Sequence, residues 1–94
     1  MRLTHDEVKT LKQAVLERDM QARVFLFGSR VDDSQRGGDI DLLIESKKLT
    51  RQDIRAIRRQ FFDRFVEQKI DVVLDNGHDN QTFIKMIKPK AERL

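Results

Sequence analysis

The order of the apolar segments constrains this chain more than any other feature of its sequence. Two stretches, one close to the N-terminus and one from about residue 50, carry apolar side chains at the spacing of an amphipathic helix. Three short runs rich in branched and aromatic residues predict strands: 23–27, 39–45 and 70–74. Residues 31–38 are polar and predict a short helix or loop. The order helix, strand, short helix, strand, helix, strand, helix indicates a two-layer α/β domain.

Specific residue types mark where the two long helices begin. Thr4 followed by Glu7 is a capping box, so a first helix is expected from there to about Asp19. Thr50 with Asp53 marks the start of the second long helix. The apolar stripe of that helix consists of Ile54, Ile57, Phe61 and Phe65.

The C-terminal segment predicts one more short helix. The turn signal Asn76-Gly77 closes the third strand. Asn80 can then cap the helix, and Pro89 ends it. The residues of this helix expected to face the core are Phe83, Ile84 and Ile87.

Length and composition narrow the class of protein. A chain of 94 residues is long enough for one domain, so we expect a single domain over residues 1–94. Its net charge of +3 is smaller than dedicated nucleic-acid binders show, which argues against nucleic acid as a partner. The absence of cysteine excludes disulfides and thiolate metal sites. No segment resembles a signal peptide or reaches membrane-spanning length, so a cytoplasmic location is expected.

Three aspartates are expected to converge on one patch of the sheet. Asp39 and Asp41 are two residues apart in a predicted strand, so their side chains project from the same face. Asp71 lies in another apolar strand and alternates with Ile70 and Val72. If the second and third strands are neighbours, the three carboxylates lie together. Their mutual repulsion would then be offset by a hard divalent cation, and Mg²⁺ takes such oxygen ligands together with substrate phosphates.

The residues that follow the first strand suggest how a phosphate could be held. Gly28 at the strand end lets the backbone approach a phosphate without a side chain in the way. Ser29 can donate a hydrogen bond, and a short helix beginning near it would direct its first amides at the anion. Arg30 could add a charge-assisted hydrogen bond.

Each of these features also has a structural explanation. A Gly-Ser pair is an ordinary turn, and Asp39 and Asp41 could lie on a solvated strand edge. Asp71 is harder to explain in that way, because a carboxylate within a buried strand is costly unless it is paired. A salt bridge to Lys69 or to an arginine would be the structural alternative.

Taken together, the motifs resemble the signature of the DNA polymerase β-like nucleotidyltransferase superfamily. That signature is a hydrophobic residue and Gly-Ser, a loop, then Asp-hydrophobic-Asp-hydrophobic, which this chain matches at residues 27–29 and 39–42. The resemblance implies a nucleotidyltransferase fold with a small mixed three-stranded sheet. It also implies that Asp39 and Asp41 bind two Mg²⁺ ions, and that Asp71 helps to bind the catalytic ion and to activate the acceptor oxygen. The triphosphate, ATP, would be held by Gly28 and Ser29.

The length of the chain is similar to that of minimal nucleotidyltransferases, which are typically encoded beside a helical partner, often of the HEPN class. Several of them are the antitoxins of HEPN/minimal nucleotidyltransferase toxin–antitoxin pairs. The resemblance implies a protein adenylyltransferase that moves AMP onto a tyrosine of a helical HEPN-type partner. Two alternatives stay open: a non-catalytic antitoxin or nucleotide-binding module, and the catalytic subunit of a two-chain enzyme that modifies small molecules. A homo- or hetero-oligomer fits each of them, since so short a chain is expected to leave its active site open on one side.

One surface is expected to meet the partner protein. Arg51, Arg55 and Arg59 form a row on the second long helix, and Phe62 and Val66 continue close to that row. These apolar residues lie beyond the width of the core-facing stripe. This edge, or the tail from Pro89 to the C-terminus, is the expected contact.

Overall fold

The computed structural model describes residues 3–28, 40–66 and 68–94. Three helices and four strands follow one another in the described part of the chain. In chain order they are α1 (His5–Leu16), β1 (Arg23–Phe27), β2 (Ile40–Glu45), α2 (Arg51–Arg64), β3 (Ile70–Asp75), α3 (Gln81–Ile87), a 3-10 helix (Lys88–Lys90) and β4 (Glu92–Arg93). The predicted short helix at 31–38 falls outside the described residues.

The sheet has the mixed topology that the resemblance implied, with one strand more than expected. Its strand order is β3-β2-β1-β4, with β2 antiparallel to β1 and parallel to β3. The fourth strand, β4, pairs antiparallel with β1, and the Leu94 amide donates to the Val24 carbonyl at 2.9 Å. The prediction of three strands was therefore wrong. The two residues of β4, Glu92 and Arg93, are exposed and too few to show an alternating pattern, so the sequence does not predict a strand there. They form a strand by pairing with the edge of β1.

Both long helices begin as the capping residues predicted. The Thr4 side chain accepts from the Glu7 amide and the Glu7 carboxylate accepts from the Thr4 amide, and Thr50 and Asp53 repeat this arrangement. The N-terminal helix α1 ends at Leu16, before the predicted end, because the chain then tightens into turns.

Helices α1 and α2 cover one face of the sheet and form the main core with it. The fully buried members of that core are Leu11, Ala14, Val15, Leu26, Ile40, Leu42, Ile44, Ile57 and Phe61. In the predicted α2 stripe, Ile57 and Phe61 are buried, whereas Ile54 and Phe65 are half-buried at its margins. Burial of several aliphatic side chains of this size stabilises a domain by about 2 kcal/mol each.

The short helix α3 lies against the opposite face of the sheet. The Phe83 ring meets the Phe27 ring edge-on, with centroids 6.2 Å apart, and Lys88 forms a salt bridge with Glu45. Of the seven residues in α3, Ile84 alone is buried. Phe83 is 43% exposed, so the predicted inward set was too large for a helix of two turns.

The start of α3 also differs from its prediction. Asn80 has left-handed backbone angles and its side chain makes no capping hydrogen bond. The preceding loop is held instead by Asn76, whose side-chain oxygen Oδ1 accepts from the backbone amides of His78 and Asp79. None of the helices within residues 3–28, 40–66 and 68–94 is long and apolar enough to span a membrane.

Candidate active site

The end of β1 lies directly against a carboxylate of β2. Gly28 follows β1 with a φ of +80°, a conformation that residues with a side chain rarely adopt. A Cβ at this position would overlap Oδ2 of Asp41 and lie 3.2 Å from its Cγ. Only glycine therefore lets the backbone approach the Asp41 carboxylate this closely.

Asp41 and Asp71 are direct neighbours on two adjacent parallel strands. The register of β2 and β3 pairs Ile40 with Ile70 and Asp41 with Asp71. Neighbouring strands are about 4.8 Å apart, and paired residues project from the same face of a sheet. The two isoleucines are buried against the helices, so the two aspartates point to the opposite face. The predicted convergence of the carboxylates depended on β2 and β3 being neighbours, and the two strands are paired.

The Asp71 carboxylate is exposed and forms no salt bridge with any residue that the structure describes. No hydrogen bond or ion pair joins its side chain to another residue within the described ranges, which removes Lys69 as the partner that the structural alternative required. The expectation that Asp71 is enclosed in a buried strand was wrong, because β3 is an edge strand and its α3-side face is open at this end.

Three of the predicted site residues, Ser29, Arg30 and Asp39, lie outside the described residues. The residue after Asp39, Ile40, is fully buried and begins β2, and its amide donates to the Lys69 carbonyl at 2.9 Å. In the part of the chain that the structure describes, no group of three or more His, Asp or Glu side chains is arranged to hold a metal ion.

The described part of the site nevertheless fits a divalent cation. Asp41 and Asp71 supply carboxylate oxygens from the same face of two adjacent strands, and carboxylate oxygen is the donor type that Mg²⁺ prefers. The absence of a side chain at Gly28 lets the Asp41 carboxylate lie against the backbone at the end of β1, in the position that a Cβ would otherwise take. Asp41, Asp71 and the predicted ligand Asp39 are the residues that would hold such an ion.

The aromatic side chains of Phe27 and Phe83 lie beside these carboxylates and were not among the predicted site residues. Phe27 is the register partner of Asp41 in β1, so both side chains project from the same face. Its ring contacts Phe83 and thereby sets the position of α3 next to the site. The predicted inward orientation of Phe83 was the only signal of this contact.

The chain was compared with known proteins. A search of curated protein sequences found no match. A protein-family model described as a nucleotidyltransferase domain matches residues 8–93, which include every element from β1 to β4 and all six of the predicted site residues. The family gives the chain a transferase activity on nucleoside triphosphates, and members of it generally use divalent metal. With nearly its whole length matched, the chain belongs to the nucleotidyltransferase domain family.

Proposed function

We propose that this chain transfers AMP from ATP to a hydroxyl of a partner protein, and that it is the antitoxin of a HEPN-type toxin. The observation that carries the proposal is the register that sets Asp41 beside Asp71, at the edge where Gly28 brings the end of β1. Metal-dependent nucleotidyl transfer needs carboxylates and a phosphate-binding backbone at one place. The choice of AMP and of a toxin as acceptor rests on the resemblance to minimal nucleotidyltransferases.

In the transfer step, the acceptor hydroxyl oxygen forms a bond to the α-phosphorus of ATP. The bond from that phosphorus to the bridging oxygen breaks, and pyrophosphate leaves with the electron pair. The hydroxyl proton passes to a nearby base. A divalent cation such as Mg²⁺, when bound, offsets the charge of the triphosphate and makes the hydroxyl more acidic.

The residues of this chain have separate parts in that step. Asp41 and Asp39 would hold the divalent cations that offset the charge of the triphosphate, while Gly28 and Ser29 donate backbone and hydroxyl hydrogen bonds to the phosphates. Asp71, which is exposed and accepts no hydrogen bond within the described residues, orients the acceptor hydroxyl and takes its proton. Most of the rate enhancement then comes from positioning and charge stabilisation.

The decisive experiment is the intact mass of the partner after co-expression. The wild-type chain is produced with the product of the neighbouring gene, and a parallel culture carries Asp39→Asn with Asp41→Asn. A matched control carries Glu45→Gln, because Glu45 lies in the same strand as Asp41 but at its other end. We expect the partner to gain one or more AMP groups with the wild type and the control, and none with the double variant.

Other outcomes would assign a different function. An unmodified partner that binds the wild type and the double variant equally would make the chain a non-catalytic antitoxin or nucleotide-binding module. An unmodified partner that binds neither would direct the search to small-molecule acceptors and a two-chain enzyme. An added mass other than AMP would keep the protein acceptor and correct the nucleotide.

A further inference from the structure

The outer edge of the sheet beside Asp71 has backbone groups directed away from β2. The Ile40 amide donates to the Lys69 carbonyl at 2.9 Å, and the Ser46 amide donates to the Asp75 carbonyl at 3.0 Å. In a parallel pair with this register, the amides of Asp71 and Val73 face β2. The amides and carbonyls of the alternate residues Val72 and Leu74 therefore face outward. Within the described part of the chain, no strand pairs with this edge.

Several arginines of α2 lie beside this edge and line the same clefts as residues of β3. Two adjoining clefts, of about 420 and 360 Å³, share Arg55 and Arg58 and together follow β3 from Ile70 to Leu74. We call the two clefts the β3 groove. Among the described residues that line it, none is acidic. The cations that line it are Arg51, Arg55, Arg58, Arg59 and Lys69.

These cations have no carboxylate partner in the described part of the protein. No salt bridge joins any of the five to a residue within 3–28, 40–66 or 68–94. Two aromatic rings border the β3 groove, Phe62 at 50% exposure and Phe83 at 43%. A surface with unpaired arginines, exposed rings and an open strand edge has the features of a docking site for an extended chain.

The chemistry of the β3 groove selects one class of occupant. Alternating outward amides and carbonyls are matched by another polypeptide backbone, whereas a nucleic acid would use the cations and leave the strand edge unpaired. A second copy of this chain, paired edge to edge in a continuous sheet, would bring two rows of cations together. An acidic segment of a different protein satisfies both the strand edge and the arginines.

We propose that an extended acidic segment of another protein adds as a fifth strand to the outer edge of β3. Its side chains alternate between the two faces of the enlarged sheet. Those on the α2 face are acidic and meet Arg55 and Arg58. The residue opposite Asp71 lies on the other face and carries the hydroxyl that receives the nucleotide. This last point rests on the proposed function; the docking itself does not.

The test uses synthetic peptides as probes of the full-length chain. The first alternates Glu with Val and has Tyr at one central position, the second has Lys in place of every Glu, and the third probe is an oligo(dT) of equal charge. Binding is measured by fluorescence anisotropy. Amide hydrogen exchange of the ¹⁵N-labelled protein then reports strand addition, since the peptide should protect Val72 and Leu74 and leave Val73 unchanged.

A pair of matched variants tests the arginines. Arg55→Glu with Arg58→Glu reverses two exposed cations in the β3 groove, and Lys9→Glu with Lys12→Glu makes the same charge change on α1, which lines neither cleft. We expect the groove variant to bind the Glu peptide at least about tenfold more weakly and the α1 variant to bind it within about twofold of the wild type. All four positions are exposed, so both variants should fold, which circular dichroism checks.

Any of four outcomes would overturn the docking proposal. If the Lys peptide bound as tightly as the Glu peptide, charge would have no role in docking. If the Val73 and Val72 amides were protected equally, the peptide would not add as a strand. Binding of oligo(dT) in preference to the Glu peptide would assign the β3 groove to nucleic acid. Failure of the Glu peptide to bind would refute the docking proposal directly. Transfer of AMP to the peptide is measured separately: groove-dependent binding without transfer keeps the docking site and counts against the proposed function.

Discussion

Acidic residues lie at both ends of the paired strands β2 and β3, but their surroundings differ. At the start of the strands Asp41 pairs in register with Asp71, and at the end Glu45 pairs with Asp75. The Glu45 carboxylate forms salt bridges with Lys88 and Arg23. At the start of the strands, the Asp71 carboxylate is exposed and has no partner among the described residues.

Asp75, the register partner of Glu45, also has hydrogen-bond partners within the protein. Its Oδ1 accepts hydrogen bonds from the Gly77 amide and from the Gln81 side chain, both at 3.0 Å. A carboxylate pair whose members each have protein partners serves the fold. In the other pair, Asp71 is left to solvent, and a bound cation would supply the charge partner that no described residue provides. The Glu45/Asp75 end of the two strands is therefore held by contacts within the protein, and the Asp41/Asp71 end is the one that the proposed function uses.

The strongest test of this difference neutralises one carboxylate at each end. Asp41→Asn should reduce nucleotidyl transfer by at least about a hundredfold, because losing a metal ligand removes several kcal/mol of transition-state stabilisation. Glu45→Gln in the same strand should keep transfer within about threefold of the wild type. Pyrophosphate release from ATP, measured with the co-expressed partner, gives both rates. Equal losses in the two variants would show that the two ends do not differ in function.

The second test adds a methyl group at each end of the sheet. Gly28 and Gly77 both have positive φ, but a Cβ at Gly28 meets Asp41, whereas a Cβ at Gly77 meets nothing within 4 Å. Gly77→Ala should lower the free energy of unfolding by about 1 kcal/mol, the cost of the backbone conformation alone. Gly28→Ala should cost about 2–3 kcal/mol, since the overlap with the carboxylate is added. Urea denaturation measures both values, and equal losses would mean that the site relaxes around the new methyl group.

How far the sequence could predict this arrangement depends on the range of the interaction. Period-two spacing predicted the face on which Asp41 and Asp71 each lie, since Ile40 and Ile70 take the buried face. Their adjacency depended in addition on the pairing of β2 with β3, which the spacing alone does not give. The strand β4 was missed because its two residues pair with β1 from more than sixty positions away, and nothing local marks them. The salt bridge between Glu45 and Lys88 also joins residues far apart in the sequence, so the sequence alone does not predict it.

The C-terminal helix shows the same limit from another side. Spacing predicted three inward residues. In the structure, α3 buries only Ile84 and contacts the sheet through the edge-on pair of the Phe83 and Phe27 rings. Its start was assigned to a side-chain cap, whereas Asn80 takes left-handed backbone angles and the loop is held by Asn76. A helix of two turns can pack in several ways, and its partners across the sheet decide among them.

The third test concerns stability in the absence of metal. Asp71→Asn removes a negative charge that lies beside Asp41, so it should raise the free energy of unfolding in EDTA by about 0.5 kcal/mol. Glu45→Gln weakens the salt bridge with Lys88 and should lower it by about 1 kcal/mol. Addition of Mg²⁺ should stabilise the wild type and not Asp71→Asn. A loss of stability in Asp71→Asn without metal would contradict the assignment of this end to function.

The smallest expected effect lies in the pH dependence at the Glu45/Asp75 end. The Ser46 hydroxyl donates to Asp19 Oδ2 at 2.6 Å and, with the Gln21 amide, holds the pKa of the Asp19 carboxyl below its ordinary value of 3.8. A carboxyl whose pKa is lower in the folded state stabilises the fold above pH 3.8 and loses that contribution as the pH falls through the lowered value. Melting curves from pH 7 downward should therefore show Asp19→Asn less stable than the wild type at neutral pH, with the gap closing in acid. Asp63→Asn, at an exposed position on α2, is the control and should show no such gap. A gap that stays constant down to pH 2 would mean that the hydrogen bond from Ser46 does not depend on the charge of Asp19.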